Sequence, residues 1–344
     1  MIDYKSGRNL VSTETIQEVR PIENADNIEA YKVRNWWVVS GKGDYQVGDS
    51  VVYFEIDSAL PLDDPRFESY AKFGRRTVEG KDYHILRTVR LRGTYSQGTI
   101  MPRSKFRIAI EMSRCNGQPL QDNIGIGKWE PPLPDSGSGL QIGKFPTHIA
   151  SKTDSPRVEN FTEDEWAEIQ KLDWIATEKI DGTSCTLARD GDELFLCSRN
   201  WQISLEDNRY AQAVKDFGLD EALLASEYDA IQMEIAGPSI QSNKLGLKKQ
   251  RPFIFKLLKN KVSAPRHTWP AWALDLGAHV YDLELPGTIE GVVEQADGIK
   301  SLEVPERLTE GVVWHSLDGT YPDVNNSSDT FKAISRKYLS KEKD

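Results

Sequence analysis

Apolar and polar residues alternate in "ILRTVRLRG", Ile85 to Gly93, and a period of two marks a strand that buries one face. Val51 to Ile56 is a β-rich run, and Gly41, Gly43, Gly48, Gly93 and Gly98 punctuate the same region. Short strands at such spacing predict a small β-barrel over residues 1–110. From Arg114 to Gly143 the text turns to "NGQPLQDNIGIGKWEPPLPDSGSGLQIG", rich in Gly, Pro, Ser and Asn, and 111–144 is expected to be a linker. The remainder, 145–344, mixes periods. "FTEDEWAEIQKL" predicts a helix with Thr162 as N-cap and Glu165 completing a capping box. "CTLARDGDELFLCSRN" predicts a hairpin around Asp190-Gly191. A helix in "LEDNRYAQAVKDFG", strands in "AIQMEIAG" and "PFIFKLL", another helix and a last strand pair follow. The class is α+β with mainly antiparallel pairing.

Length and composition fit that division: 344 residues with 38% hydrophobic content suffice for two cored domains. The net charge of -10 opposes a generic nucleic-acid coat, yet from Arg66 to Ile108 eleven Arg and Lys face three acidic residues, a local +8. A solvated basic face is the bland alternative. A polyanion contact is the sharper one, because each neutralised phosphate releases counterions. Arg75, Arg76, Arg90 and Arg92 are its expected nucleic-acid contacts, on a barrel for which the OB-fold is a candidate.

The three cysteines, Cys115, Cys185 and Cys197, form no C-x-x-C pair, and the five histidines are scattered, which argues against a disulfide framework or a zinc site. A thiol enzyme lacks a partnering histidine. The polar start "MIDYKSGRNL" and the absence of a long apolar run predict neither secretion nor a membrane span, so a cytoplasmic or nuclear monomer is expected. The G-x-G pieces near Gly125 are followed by no lysine-serine or lysine-threonine pair at phosphate-loop spacing.

Chemistry is carried by an ordered series. "TEKIDGTS" holds Lys179-Ile180-Asp181-Gly182; then come Ser198-Arg199-Asn200, Glu234-Ile235-Ala236-Gly237, "PFIFKLL", Glu310-Gly311-Val312-Val313, and Lys332 in "FKAIS". Glu290 competes with Glu310 because "IEGVVEQADG" also reads E-G-V-V. Its apolar neighbours follow helical spacing after Thr288, however, whereas "EGVVWHSLDG" reads as a strand.

In this order the motifs resemble the covalent nucleotidyltransferase superfamily, and within it the RNA ligases with an N-terminal OB domain, the family 5 type known from Naegleria and Deinococcus. "GDSVVYFEIDSALP", "RLRGTYSQG", "SKTDSPRVEN" and "GPSIQSNKLGL" extend the resemblance over nearly the whole chain. It implies an OB barrel followed by an antiparallel adenylyltransferase domain, and an ATP-dependent ligase joining RNA 3′-hydroxyl and 5′-phosphate ends with Mg²⁺ or Mn²⁺. Lys179 would attack the α-phosphate of ATP. A lysine with a pKa near 10.4 spends roughly 4 kcal/mol to lose its proton at pH 7.5 unless its surroundings help.

By the same resemblance Glu178, Ile180, Asp181, Gly182, Arg199, Glu234, Phe255 and Lys332 would bind ATP, and Glu234 and Glu310 would serve the metal. Lys332 would contact the α-phosphate, and Phe255 would stack on adenine with Phe253 on the other side of the strand. One departure stands out. Thr330 occupies the first position of a K-x-K pair common among relatives, with Lys337 a possible substitute, and the resemblance gives Lys152, Asp154, Arg157 and Asn160 no firm role. The rivals are a DNA or mixed RNA/DNA nick ligase, a guanylyltransferase, and a retired RNA-binding protein; the first and second usually carry an OB domain after the last motif.

Overall fold

A computed structural model describes residues 1–130, 141–320, 322, 324 and 328–340. The chain divides into two compact units, Met1–Pro132 with Leu339–Asp344, and Leu133–Tyr338.

In the first unit the run Ser50–Phe54 explains the barrel. It lies between Val11–Thr15 and Thr99–Pro102 in an antiparallel sheet, and both its faces are buried. Val51 and Tyr53 enter one cluster with Ile16, Tyr31 and Trp36, while Val52 and Phe54 enter another with Leu10, Leu60 and Phe67. A strand buried on both faces needs a continuous apolar run, and the period of two divides that run between two cores. The meander Glu18–Pro21, Ile28–Val33 and Trp36–Gly41, the hairpin Thr88–Leu91 with Thr94–Gln97, and a five-stranded sheet around Ser58–Pro61 complete the unit.

The expected linker is ordered structure over its described part. A helix spans Arg107–Asn116, crossing the boundary expected at 110; a short helix follows at Leu120–Ile124, and Gly127–Trp129 pairs with Ser58 and Ala59. Ile110, Ile124 and Ile126 pack with Leu10 and Phe54, and Gln121 reaches the backbone of Leu10 at 2.6 Å and of Arg8 at 2.9 Å. The breaker residues that suggested a linker end helices instead: Gly117 and Gly125 sit at positive φ as C-caps. Gln141–Lys144 is the edge strand of a sheet in the second unit, and only 131–140 of the expected linker lies outside the described residues.

The second unit holds two antiparallel sheets. The larger runs Gln141–Lys144, Trp201–Ile203, Glu193–Ser198, Thr183–Asp190, Ala230–Ala236, Arg251–Lys259, Val262–Ser263 in spatial order. One face packs on helices Arg209–Asp216 and Leu219–Leu224 through Leu187, Met233, Ile235 and Ile254. Cys185 and Cys197 are fully buried in the flanking strands. The smaller sheet runs Val280–Tyr281, Trp174–Lys179, Gly311–Ser316, Thr330–Ile334. Ala176, Val312, Trp314, Phe331 and Ala333 bury one of its faces against helices Glu163–Ile169 and Ile289–Ala296.

Local expectations hold with small shifts. Thr162 and Glu165 form the capping box, and Thr288 caps the helix that carries Glu290. The hairpin turn falls at Gly191-Asp192, one residue on, because Asp190 still pairs with Glu193.

Candidate active site

Period two also explains which side chains of the smaller sheet are free for chemistry. With Ala176, Val312 and Phe331 on the helix side, the alternate positions Thr177, Lys179, Val313 and Lys332 take the other face. Lys179 ends its strand opposite Gly311, and Val313 stands opposite Lys332. Ile180 to Gly182 then carry the chain across to the larger sheet, where Ser184 pairs with Glu234.

That crossing requires close approach. A Cβ on Gly182 would stand 2.3 Å from the carbonyl oxygen of Ile235, and one on Gly311 would stand 2.2 Å from that of Ala333. Both contacts are to backbone, which cannot swing aside. Gly182→Ala is therefore expected to lower stability by about 1–3 kcal/mol, the usual scale of overpacking. A thermal melt reads this as a drop of several degrees in Tm, and an unchanged Tm would show that the crossing has room.

The cluster at the crossing is charged and partly buried. Lys179 Nζ donates to Glu310 Oε2 at 2.6 Å, and Thr309 Oγ1 donates to the carbonyl of Lys179 at 3.1 Å. Burial alone pulls the Lys179 amine down, but Glu310, Glu234 and Asp181 together leave it above its ordinary value. Burial pushes Glu234 up to about 8 against the pull of Lys179, with Glu310 and Asp181 adding to the rise. Burial likewise raises Glu310. Lys332 moves the opposite way: burial lowers it to about 8, and Asp154 at 3.1 Å only partly restores it.

Asp154 is shared, since Arg199 Nη2 approaches its other oxygen at 3.3 Å. Asp181 accepts from Tyr338 Oη at 2.5 Å and pairs with Lys244 Nζ at 3.3 Å. The arrangement is a partly buried amine among three carboxylates, with a second amine of depressed basicity close enough to influence it. Such a constellation suits nucleophilic attack on a phosphoryl group whose charge the second cation meets.

Comparisons with known proteins agree with this geometry. A family model for an OB-fold domain matches residues 10–103, and one for RNA ligase matches residues 172–334. Among solved structures, the chain resembles an RNA ligase of Naegleria gruberi, in a glutamate-to-alanine variant with AMP and Mn. Identity is 34% over 97% of this chain and 99% of that one, with a TM-score of 0.85. The chain belongs to the RNA ligase family. The same Naegleria ligase with pyrophosphate is 33% identical over 98% of this chain and 99% of that one, with a TM-score of 0.83. Another glutamate-to-alanine variant, with ATP and Mn, is 34% identical over 98% and 100%, with a TM-score of 0.84. A search of curated proteins finds no match.

Within the ligase, the structure gathers Lys179, Asp181, Glu234, Glu310 and Lys332, and ties Arg199 to them through Asp154. Glu178 is different. It alternates to the helix side of the sheet, where its Oε2 accepts the N–H groups of Leu302 at 2.9 Å and Glu303 at 3.4 Å. Ile180 packs beside Phe253, Leu245 and Ala278, so it shapes the wall rather than offering a polar contact.

Phe253 is fully buried, and Phe255 is partly buried against the same cluster. The expectation of opposite faces is thus corrected: residues two apart on a pleated strand point the same way. Phe255 has the exposed edge, facing a small cavity shared with His315, Lys256 and Asp329. Thr330, in place of the first K-x-K lysine, donates to or accepts from Ser155 Oγ at 2.7 Å. Lys337 lies in the final helix Arg336–Ser340.

In the first unit, Arg76 lies over the ring of Trp129 at 4.5 Å, and Arg75 is exposed and paired with Asp82 at 3.0 Å. Arg90 covers Tyr95 at 5.4 Å, and Arg92 sits at positive φ in the hairpin turn. Sequence reasoning named Asp154 without giving it a role, and missed Tyr338 and Lys244. For Asp154 the signal was present, in its place within "SKTDSPRVEN".

Proposed function

We propose that this ligase seals RNA 5′-phosphate to 3′-hydroxyl ends with ATP, through AMP carried on Lys179. The observation that carries the reading is the Lys179 amine, held 2.6 Å from Glu310 with Glu234 and Asp181 acting on the same charge. The Naegleria relative, solved with ATP, with AMP and with pyrophosphate, supports the nucleotide chemistry.

The carboxylates fit a hard divalent cation. Among the described residues no three His, Cys, Asp or Glu side chains converge to hold a metal by themselves, so Glu234 and Glu310 would share it with water and phosphate oxygens. Mg²⁺ or Mn²⁺ held there would supply positive charge against the triphosphate. Lys179 must pass the proton it shares with Glu310 to solvent before attack. The Nζ–phosphorus bond then forms as the bond to the β-phosphate oxygen breaks, and pyrophosphate leaves. An oxygen of the RNA 5′-phosphate next displaces Lys179 to give RNA-adenylate, and the 3′-hydroxyl finally displaces AMP. Lys332 stays a fixed cation beside the reacting phosphorus, and Arg199, oriented by Asp154, holds a further phosphate oxygen.

No helix among the described residues is long and apolar enough to cross a membrane. We place the enzyme in the cytoplasm or nucleus, working as a monomer, with the basic side chains of the first unit meeting the RNA. Arg75→Ala with Arg76→Ala is expected to weaken RNA binding and reduce the salt slope by up to about two. Titrations at several salt concentrations check this, and a slope identical to wild type would remove those residues from the interface. The substrate itself is tested by offering AMP-labelled enzyme 5′-phosphorylated RNA. Label that never leaves the protein would overturn the RNA assignment.

A further inference from the structure

The short 3₁₀ helix Glu68–Phe73 carries an aromatic ridge that the site described above does not use. With three residues per turn, Phe67, Tyr70 and Phe73 stack along one edge. Phe67 is fully buried against Phe54 and Phe106, Tyr70 is partly buried, and Phe73 is 66% exposed. The ridge therefore climbs from the core into solvent.

The exposed end is built and held. Tyr70 and His84 stand 6.1 and 6.3 Å from the Phe73 ring and 5.6 Å from each other. Tyr70 is fixed by a 2.7 Å hydrogen bond to Thr99, and His84 by a 2.8 Å contact of Nδ1 with the carbonyl of Gly74. Lys72 Nζ lies 4.9 Å from the Phe73 ring centroid, and Arg75 and Arg76 follow within three residues, both exposed. A large apolar ring left in water among cations is poor packing for stability alone, and it suits a partner with flat apolar faces and a negative backbone.

We propose that Phe73, backed by Tyr70 and His84, is a stacking platform for an unpaired base of the RNA substrate, with Lys72, Arg75 and Arg76 receiving the flanking phosphates. The proposal rests on the chain acting on RNA. Every nucleobase offers a π-face, so the platform would bind single-stranded RNA with little regard to sequence. Fixed rings also lose little freedom on binding, which favours affinity.

The test uses the full chain and a fluorescein-labelled single-stranded RNA of about 12 nucleotides, within the usual span of one OB fold. Anisotropy titrations at several salt concentrations compare wild type with Phe73→Ala, Phe73→Leu and Phe73→Trp. The expected result is a loss of roughly fivefold to a hundredfold for Ala and Leu, restoration by Trp, and a salt slope equal to wild type for all three. Wild-type affinity in the Ala variant overturns the proposal. So does wild-type affinity in Leu alone, because greasy contact without stacking would then suffice. A change of oligomeric state in the Ala variant with RNA affinity intact would overturn it too, showing the ring to be a protein interface. Self-labelling of the wild type with ATP in the absence of RNA separately checks the Lys179 chemistry, so the two failures are distinguishable.

Discussion

Lys179→Ala is expected to leave no AMP on the protein after incubation with α-labelled ATP and Mg²⁺ or Mn²⁺, and to cut ATP-driven sealing by roughly four orders of magnitude or more. The reason is specific to the first chemical step, in which the proposed mechanism has the Lys179 amine form the nitrogen–phosphorus bond. A second measurement separates that reason from collapse of the fold. Supplied with RNA already carrying AMP on its 5′-phosphate, the variant is expected to join it to a 3′-hydroxyl, because that step no longer needs the amine. Label retained by the alanine variant would move the nucleophile elsewhere, and a variant with a wild-type melt that cannot use pre-adenylylated RNA would give Lys179 a further duty in the last step.

Lys332→Ala should slow AMP transfer to Lys179 about a hundredfold to a thousandfold, the usual loss when a fixed charge at a transition state is removed. Its pH profile carries the sharper content. Burial lowers Lys332 to about 8, so in the free enzyme its cation is present below that pH and lost above it. The pH dependence of kcat/KM for self-labelling, which reports the free enzyme, is then expected to fall on its alkaline side near pH 8. Asp154 holds that amine up, so Asp154→Asn should move the fall to lower pH, and Lys332→Arg, charged throughout, should remove it. A descending limb that stays in place in both variants would assign it to another group.

Much of this was legible from residue order. A double-sided apolar run at Val51 to Phe54 announced a central barrel strand, whereas the alternation from Ile85 to Gly93 is split in the structure between the end of Lys81–Ile85 and a separate strand Thr88–Leu91 with Leu91 exposed. The order of Lys179, Glu234, Glu310 and Lys332, through the resemblance it carries, pointed to the side chains that the structure brings together. The distinction between Glu290 and Glu310 also came from periodicity, and the structure puts the first on a helix and the second at a strand beside Lys179.

What the sequence concealed has two physical causes. Gly117, Pro119 and Gly125 can end a helix or fill a linker, and composition does not separate the two; buried Ile124 and Ile126 decide it. The second cause is that pairing between distant side chains leaves no local pattern. Nothing near Asp154 shows that it will join Lys332 and Arg199, and nothing near Tyr338 shows that its hydroxyl will meet Asp181, 157 residues away. Glu178 illustrates the converse, since the resemblance groups it with Lys179 at the nucleotide and the pleat sends the two side chains to opposite faces.

The 131-residue separation between Lys179 and Glu310 has a consequence for biogenesis. A ribosome would make the nucleophile long before it makes Glu310 or Lys332, and strand pairing between distant segments forms late. A nascent or prematurely ended chain would carry the amine without its partners, so broken products of synthesis should be chemically silent toward ATP.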